Sequence, residues 1–566
     1  MQSHRLTIFV SPMRSLHFFS ASKSMVSTPE VPKKRISQAT FDETVHENMV
    51  DLEMDRADAV KDALQQFTSQ GVDLENICVT LNENDGRWLE EVDAQLTALK
   101  SCLDSGTDLS LPPSWSPKAT LAALQALHSA LTDSDIKRAD NARKLLGSKD
   151  AVNVIARIWQ EWGDETSCVT LDPADAEVVA KARLLAVAVT EAACGGGSAG
   201  DQSKHAFRPT SMRMLCQAAR RAQMKEQRSF LIASLSLVRV LSTRAEDHKV
   251  SFVEHGGLDT LVECLEKESW ASDCEIVRET CGAIKAVTAV DDFRKDFSAS
   301  HTHTRALTAK GCIPVLLQAC RRFGADSDTV ATGLDALRNL ANNEESVNQI
   351  ASEGGVSGTV RALQAHLSHP ALARAATGLF RNVSADDRHK TRLCKNGAAQ
   401  LMLEAMREHA QERKIQEHGL ATLGAMALRS PDNCRHLSGM GAVSVILEAL
   451  ERHPEARAIQ RQGCLAVRNM VSRVPELGEA FLEAGAEPLL RLAGRYQESV
   501  DEAYAALRDL KCDVKRVIVD PLTGKIKAPE EFGSAKTSFR PVFDSSNDIE
   551  GAVQAAINAP SNSYRF

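Results

Sequence analysis

Three arginine–asparagine pairs recur in this chain in matching surroundings: Arg338-Asn339, Arg381-Asn382 and Arg468-Asn469, each followed by Leu, Val or Met. A side-chain amide both donates and accepts hydrogen bonds, so a row of asparagines can hold the backbone of an extended peptide without reading its side chains. The structural alternative is that these amides tie neighbouring parts of the chain together. The guanidinium beside each amide can bind a carboxylate through paired hydrogen bonds, on a partner or on an adjacent helix. A second cluster is Ser300-His301-Thr302-His303-Thr304. Two imidazoles one residue apart offer a modification target or two ligands toward a zinc site, or have no special role; two ligands alone do not complete a zinc site.

Other constellations carry less. His366-x-x-His369 has metal-compatible spacing but reads better as helix-surface histidine. The Gly195–Gly200 stretch lacks the Gly-Lys-Ser/Thr ending of a phosphate loop, and no strand pattern precedes it. Among 14 cysteines and 16 histidines no spacing selects a nucleophilic pair. No catalytic residue, metal site or cofactor is therefore expected, and the chain reads as a non-enzyme.

The elements that must position the asparagines and histidines are legible from spacing. A glycine followed by small or apolar residues opens a hydrophobic run at Gly256, Gly311, Gly354, Gly397, Gly441 and Gly485, at intervals of 55, 43, 43, 44 and 44 residues. The Arg-Asn triplets run in phase with it, and degenerate copies fall at Arg239-Val240-Leu241, Lys285-Ala286-Val287, Gly424-Ala425-Met426 and Arg508-Asp509-Leu510. Two markers sharing one period indicate tandem helical repeats. Within 345–383, a short helix (Ser346–Ser352) leads to the turn at Gly354-Gly355. Val356, Val360, Leu363 and Leu367 line a second helix, ended by Pro370. Leu372, Ala375, Ala376, Leu379 and Val383 line a third. Such a unit cannot bury its own apolar surface and must stack on its neighbours.

A short first helix, a Gly-Gly or Gly-Ala turn, and a third helix bearing Leu-Arg-Asn-Leu resemble the armadillo repeat, well over 210–511 and loosely over 117–209. HEAT repeats are the runner-up. Lys34-Arg35-Ile36-Ser37-Gln38-Ala39-Thr40-Phe41-Asp42 and Phe67-Thr68-Ser69-Gln70-Gly71-Val72-Asp73-Leu74-Glu75-Asn76-Ile77 resemble the start of the armadillo repeat-containing protein 6 family. So does the insertion around Asp291-Asp292-Phe293-Arg294 with its downstream His-x-His. The resemblance spans about residues 25 to 515. It implies an all-α fold, an armadillo-type right-handed α-solenoid with an N-terminal helical extension. It also implies that Asn339, Asn382 and Asn469, with Arg338, Arg381 and Arg468, face a concave groove that takes a protein or extended peptide. Importin-α types carry a tryptophan four residues before the asparagine; this chain has Asp335, Gly378 and Leu465 there, which argues against a nuclear-import receptor. The His301/His303 motif resembles sequences that certain protein-histidine methyltransferases modify, which would make such an enzyme a partner. A chaperone-like adaptor for many clients is the alternative function, and an enzyme with an unrecognised site the remote one.

The organisation expected is an N-terminal extension without structure (1–35), a helical region (36–110), a repeat solenoid (117–512) and a largely disordered tail (513–566). Residues 195–209 read as a flexible loop. Aromatic content of 4% suits closely packed helices rather than strands. A net charge of -8 argues against a broad nucleic-acid footprint. No apolar run is long enough for a membrane span. Free thiols without a C-x-x-C pair point to a reducing compartment. The expected state is a monomer, cytoplasmic or also nuclear. Residues 1–29 hold no acidic residue and many serines, so an organelle transit peptide is the alternative, with Met25 an alternative start. The tail holds the basic stretch Lys511–Arg516 and a candidate linear motif that folds back onto the groove.

Overall fold

The computed structural model describes residues 35–103, 116–161, 173–519, 526–527 and 540–544. The chain divides after Leu74 into two compact units. In the first, α1 (Gln38–Asp51) starts on an Ser37 N-cap and α2 (Arg56–Ser69) on an Asp55 N-cap. Phe41 and Phe67 pack with ring centroids 6.2 Å apart. Asn48 takes the inner place on α1 beside them, its amide donating to the Ala59 carbonyl at 3.3 Å, while Leu52 is exposed.

The second unit starts with α3 (Glu83–Leu103), so the 36–110 region is split between the two units. α4 (Pro117–Leu131) follows, and then three-helix repeats. The first repeats are α5 (Ile136–Ser148), α6 (Ala151–Glu161) and α7 (Pro173–Cys194); then α8 (Ser198–Ala206), α9 (Pro209–Met224) and α10 (Arg228–Ser242). The next comprises α11 (Glu246–Glu254), α12 (Gly257–Glu266), the single turn α13 (Glu268–Ala271) and α14 (Cys274–Val287). Then come α15 (Ser300–Ala309), α16 (Cys312–Arg322) and α17 (Ser327–Leu340), and α18 (Glu344–Ser352), α19 (Gly355–Ala365) and α20 (Pro370–Ser384). The last three repeats are α21 (Asp387–Lys395), α22 (Ala398–Glu408) and α23 (Arg413–Ala427); α24 (Pro431–Gly439), α25 (Ala442–Arg452) and α26 (Arg457–Val471); and α27 (Leu477–Glu483), α28 (Ala486–Ala493) and α29 (Val500–Asp509). Beyond them β1 (Lys515–Val519) pairs antiparallel with β2 (Ile526–Lys527) and β3 (Arg540–Asp544). Residues 1–34 and the rest of the tail lie outside the described residues, and so do the readings of a transit peptide and a groove-binding motif.

The third helices form the spine. α4, α7, α10, α14, α17, α20, α23, α26 and α29 each pack on the next, and one continuous apolar core runs from Val92 to Leu510. All six marker glycines sit directly before or at the start of a second helix with φ between 77° and 84°, the left-handed region that a Cβ disfavours. The stack begins earlier than the glycine series does, because Asp150 occupies the same turn before α6 with φ 55°. Aspartate tolerates that conformation better than most residues, and it left the marker invisible.

Two sequence expectations are corrected. Residues 195–209 are not a flexible loop: they fold as α8, with Ala199, Gly200, Ser203 and Lys204 buried. Gly200 packs so closely on the Gly195 carbonyl that an added Cβ would lie 2.0 Å from it. These glycines serve close backbone packing rather than mobility. Pro370 does not end the second helix, which stops at Ala365; it is the first residue of α20 behind the His369 N-cap. Proline suits that position because its missing N–H would be unpaired there anyway.

The glycines of α19 supply a paired test. Gly354 (φ 78°) and Gly358, in ordinary helical conformation, both have open space where a Cβ would go. Gly354→Ala should lower stability by about 1–2 kcal/mol through backbone strain alone, whereas Gly358→Ala should raise it by up to ~1 kcal/mol. Urea titration followed by circular dichroism reads both signs.

Candidate partner-binding face

Each third helix buries one side against its own repeat and two flanks against neighbouring third helices. On α20 the buried set includes Leu372, Ala375, Ala376, Leu379 and Val383. What remains is a narrow edge, and the Arg-Asn pairs lie on it near the helix C-terminus.

The three asparagines make the same bond. Asn339 Nδ2 donates to the Lys285 carbonyl, Asn382 Nδ2 to the Arg338 carbonyl and Asn469 Nδ2 to the Gly424 carbonyl, each at 2.9 Å. In every case the acceptor lies in the last turn of the preceding third helix, where carbonyls run out of following amides; the Gly424 carbonyl also accepts from the Leu428 N–H. Each amide thus caps the helix before it, contributing about 1 kcal/mol. Asn339 and Asn382 are half-buried and Asn469 is buried. One amide N–H and the Oδ1 of Asn382 remain uncommitted among the described residues, while Asn339 Oδ1 faces Arg338 Nη2 at 3.5 Å. Where Ala425 interrupts the series, Ser384 Oγ donates to the Arg381 carbonyl instead. At the end, the Asp509 carboxylate has no proton to donate and pairs with Arg508 at 2.7 Å.

The cations beside them fare unequally. Arg239 reaches Glu279 (3.2 Å) and Glu191 (3.8 Å). Lys285 and Arg338 share one carboxylate, that of buried Asp335, at 2.6 and 3.4 Å. Arg381 and Arg468 have no anionic partner among the described residues. Close by, His418 of α23 is buried, its Nδ1 without a hydrogen-bond partner. Gly378 gives it room: a Cβ there would lie 2.6 Å from Arg338 Cδ and 3.2 Å from His418 Nδ1. Burial, with Arg338 and Arg381 adding positive potential, pushes the His418 imidazole down to about 4.

The accessible loop between repeats that methylation of His301 or His303 would call for is not what the structure shows: both lie on the first turn of α15. His301 is exposed. His303 is buried, and its Nδ1 donates to the Val287 carbonyl at 3.1 Å. The insertion before them is anchored by its acids: Asp291 accepts from Lys249 Nζ (2.6 Å) and the Arg244 N–H, and Asp292 from the Glu246 N–H. Among the described residues no group of three or more His, Cys, Asp or Glu side chains could hold a metal ion. No described helix is long and apolar enough to cross a membrane. Burial raises the Cys216, Cys264, Cys312 and Cys320 thiols to about 12, which removes their nucleophilic form at neutral pH.

A second ladder went unnoticed in the sequence. His366, His409 and His453, at intervals of 43 and 44 residues, follow the ends of α19, α22 and α25. Their Nε2 atoms donate to the carbonyls of Gly324 (2.8 Å), Leu367 (2.7 Å) and Ala410 (2.8 Å), one repeat back. The shared period was the available signal. It also disposes of the His366/His369 metal reading, since His369 instead caps α20 and pairs with Asp328 at 3.2 Å.

A short first helix, a left-handed glycine, a second helix and a long third helix stacked on its like define an armadillo-type α-solenoid, a repeat scaffold. Residues 33–92 match the model of the armadillo repeat-containing protein 6 N-terminal domain. Human armadillo repeat-containing protein 6 is 26% identical over 432 residues, covering 74% of this chain and 79% of the relative. The homologue from Drosophila melanogaster is 26% identical over 398 residues, covering 70% and 78%. The crystal structure of an engineered protein superposes with a TM-score of 0.51 at 17% identity, covering 74% of this chain and 99% of its own. The chain is thus similar to the armadillo repeat-containing protein 6 family, in its N-terminal segment and through the repeats.

The unpartnered imidazole has a measurable signature. Arg338, Arg381 and Lys414 oppose its protonation and Glu417 favours it. Unfolded, His418 takes its proton near 6.5; folded, only near 4. The unfolded state therefore binds more protons between those values, and stability falls as pH drops from 6.5 to 4, by on the order of 3 kcal/mol. Urea titrations across this range should show that loss for the wild type and a flatter profile for His418→Gln.

Proposed function

We propose that this chain is a non-enzymatic scaffold that holds an extended segment of another protein along the exposed edge of its third helices. The observation that carries the reading is the unbroken third-helix spine, with hydrogen-bonding capacity on its outer edge that the chain itself leaves unused. The second N–H and the Oδ1 of Asn382 are free for a peptide backbone, and Arg381 and Arg468 for side chains. The asparagines are double-duty groups on this reading: one N–H caps the preceding helix and the rest of the amide faces the partner.

Cross-linking mass spectrometry on native cells tests this. Partner cross-links should concentrate on α17, α20, α23 and α26. Cross-links confined to first and second helices would sink the proposal. One or two partners would support a dedicated scaffold, and a broad set of weak clients a chaperone-like adaptor.

The His-x-His turn supports a second, separate reading: His301 accepts a single methyl group from a protein-histidine methyltransferase. Its exposure at the start of α15 leaves the imidazole reachable, whereas His303 is buried with Nδ1 already bonded. Peptide mapping of protein from native cells should find one added methyl on His301 and none on His303. Unmodified histidine at both positions would rule it out.

A further inference from the structure

We infer that the segment held on the third-helix edge is acidic: an extended stretch of a partner protein lays Asp or Glu carboxylates on Arg338, Arg381 and Arg468. This rests on the scaffold reading above and gives its partner a chemistry.

The edge carries uncompensated positive charge. Along the edge, Arg239 is neutralised by glutamates of the third helices on either side, Glu191 of α7 and Glu279 of α14. From α14 onward the balance shifts. Lys285 and Arg338 divide one carboxylate between them, and Arg381 and Arg468 have none. Arg374, two turns before Arg381 on the same face of α20, also lacks an anion among the described residues. The nearby acids are committed: Glu417 to Lys414, Glu498 to Arg457 and Glu502 to Arg461. This cationic strip stands on a chain whose net charge is -8, so it is a local feature and not a general one.

A second observation is independent of the arginine count. Within the positive field of Arg338 and Arg381 sits His418, 6% exposed, with Nδ1 unpartnered and its ring packed, like the Arg338 stem, against Gly378. A buried polar atom without a partner is costly, and fields of one sign around it call for the opposite charge. A carboxylate bound to Arg338 and Arg381 supplies that charge. A basic segment would instead meet three or four guanidinium groups with no free carboxylate among the described residues of the edge.

Geometry gives the spacing. Packed helices lie about 8–10 Å apart and an extended chain advances about 3.3 Å per residue, so one repeat corresponds to roughly three residues. Arg338 and Arg381 are one repeat apart, and Arg381 and Arg468 two.

The test is fluorescence anisotropy on the full chain with a labelled peptide of roughly a dozen residues carrying Glu at every third position. Its Gln isostere, its Lys isostere and a single-stranded RNA of similar charge are the comparison probes. The Glu peptide should bind at least about tenfold tighter than the Gln peptide. That gap should vanish in Arg381→Ala/Arg468→Ala and persist largely in Arg381→Lys/Arg468→Lys, with circular dichroism reporting that each variant is folded. Equal binding of the Gln peptide, tighter binding of the Lys peptide, or preference for RNA overturns the inference. If the Glu peptide fails while native cross-links still fall on α17–α26, the acidic chemistry is wrong and the scaffold reading stands. Cross-links elsewhere remove both.

Discussion

A stack of short helices has a hydrogen-bonding problem at every helix end. The last carbonyls of each helix have no amide ahead of them, and in this chain the ends are numerous and mostly buried. The repeats answer by lending donors to one another. Asn339, Asn382 and Asn469 cap the third helix one repeat back. His366, His409 and His453 do the same for the turn between second and third helices. Within repeats, Gln416 and Gln460 each serve two carbonyls at the end of the second helix before them. Lys249 and Lys390, both buried, reach the carbonyls of Ala289 and Leu428 just beyond third helices. No repeat is complete alone in hydrogen bonding, any more than in apolar burial, so neighbours are coupled by both.

That coupling bears on function. A residue fully consumed in capping cannot bind a partner, and the amides are only partly consumed. The arginines beside them differ from repeat to repeat because their acids do. Asp335 stands where Gly378 stands one repeat later, so Lys285 and Arg338 share a carboxylate where Arg381 has none among the described residues. The same Gly378 admits the Arg338 stem and the His418 ring to one another's vicinity.

Much of this was legible beforehand. The glycine series located every second helix from α12 onward because only a residue without a Cβ takes that turn cheaply. The Arg-Asn triplets located third-helix ends. Less visible were features whose cause is a partner distant in sequence. Asp150 hides a repeat because it substitutes for glycine conformationally but not chemically. α8 hides behind glycines that signal close packing as readily as flexibility. The histidines at 366, 409 and 453 share the repeat period, yet His366 reads from sequence as helix-surface histidine, because their acceptors are backbone carbonyls, which no residue type announces.

By itself the sequence determined the all-α repeat architecture and its period, and carried the family resemblance, since periodic burial and left-handed turns demand particular residue types at particular intervals. The tertiary structure alone decided what the polar groups do: that each asparagine caps a neighbouring helix, that His303 is buried while His301 is not, and that Arg381 and Arg468 lack the acids their neighbours have. The reason is that burial patterns are encoded locally along one helix, whereas hydrogen bonds and charge compensation between repeats depend on side chains some forty residues apart in the chain, brought together only by stacking.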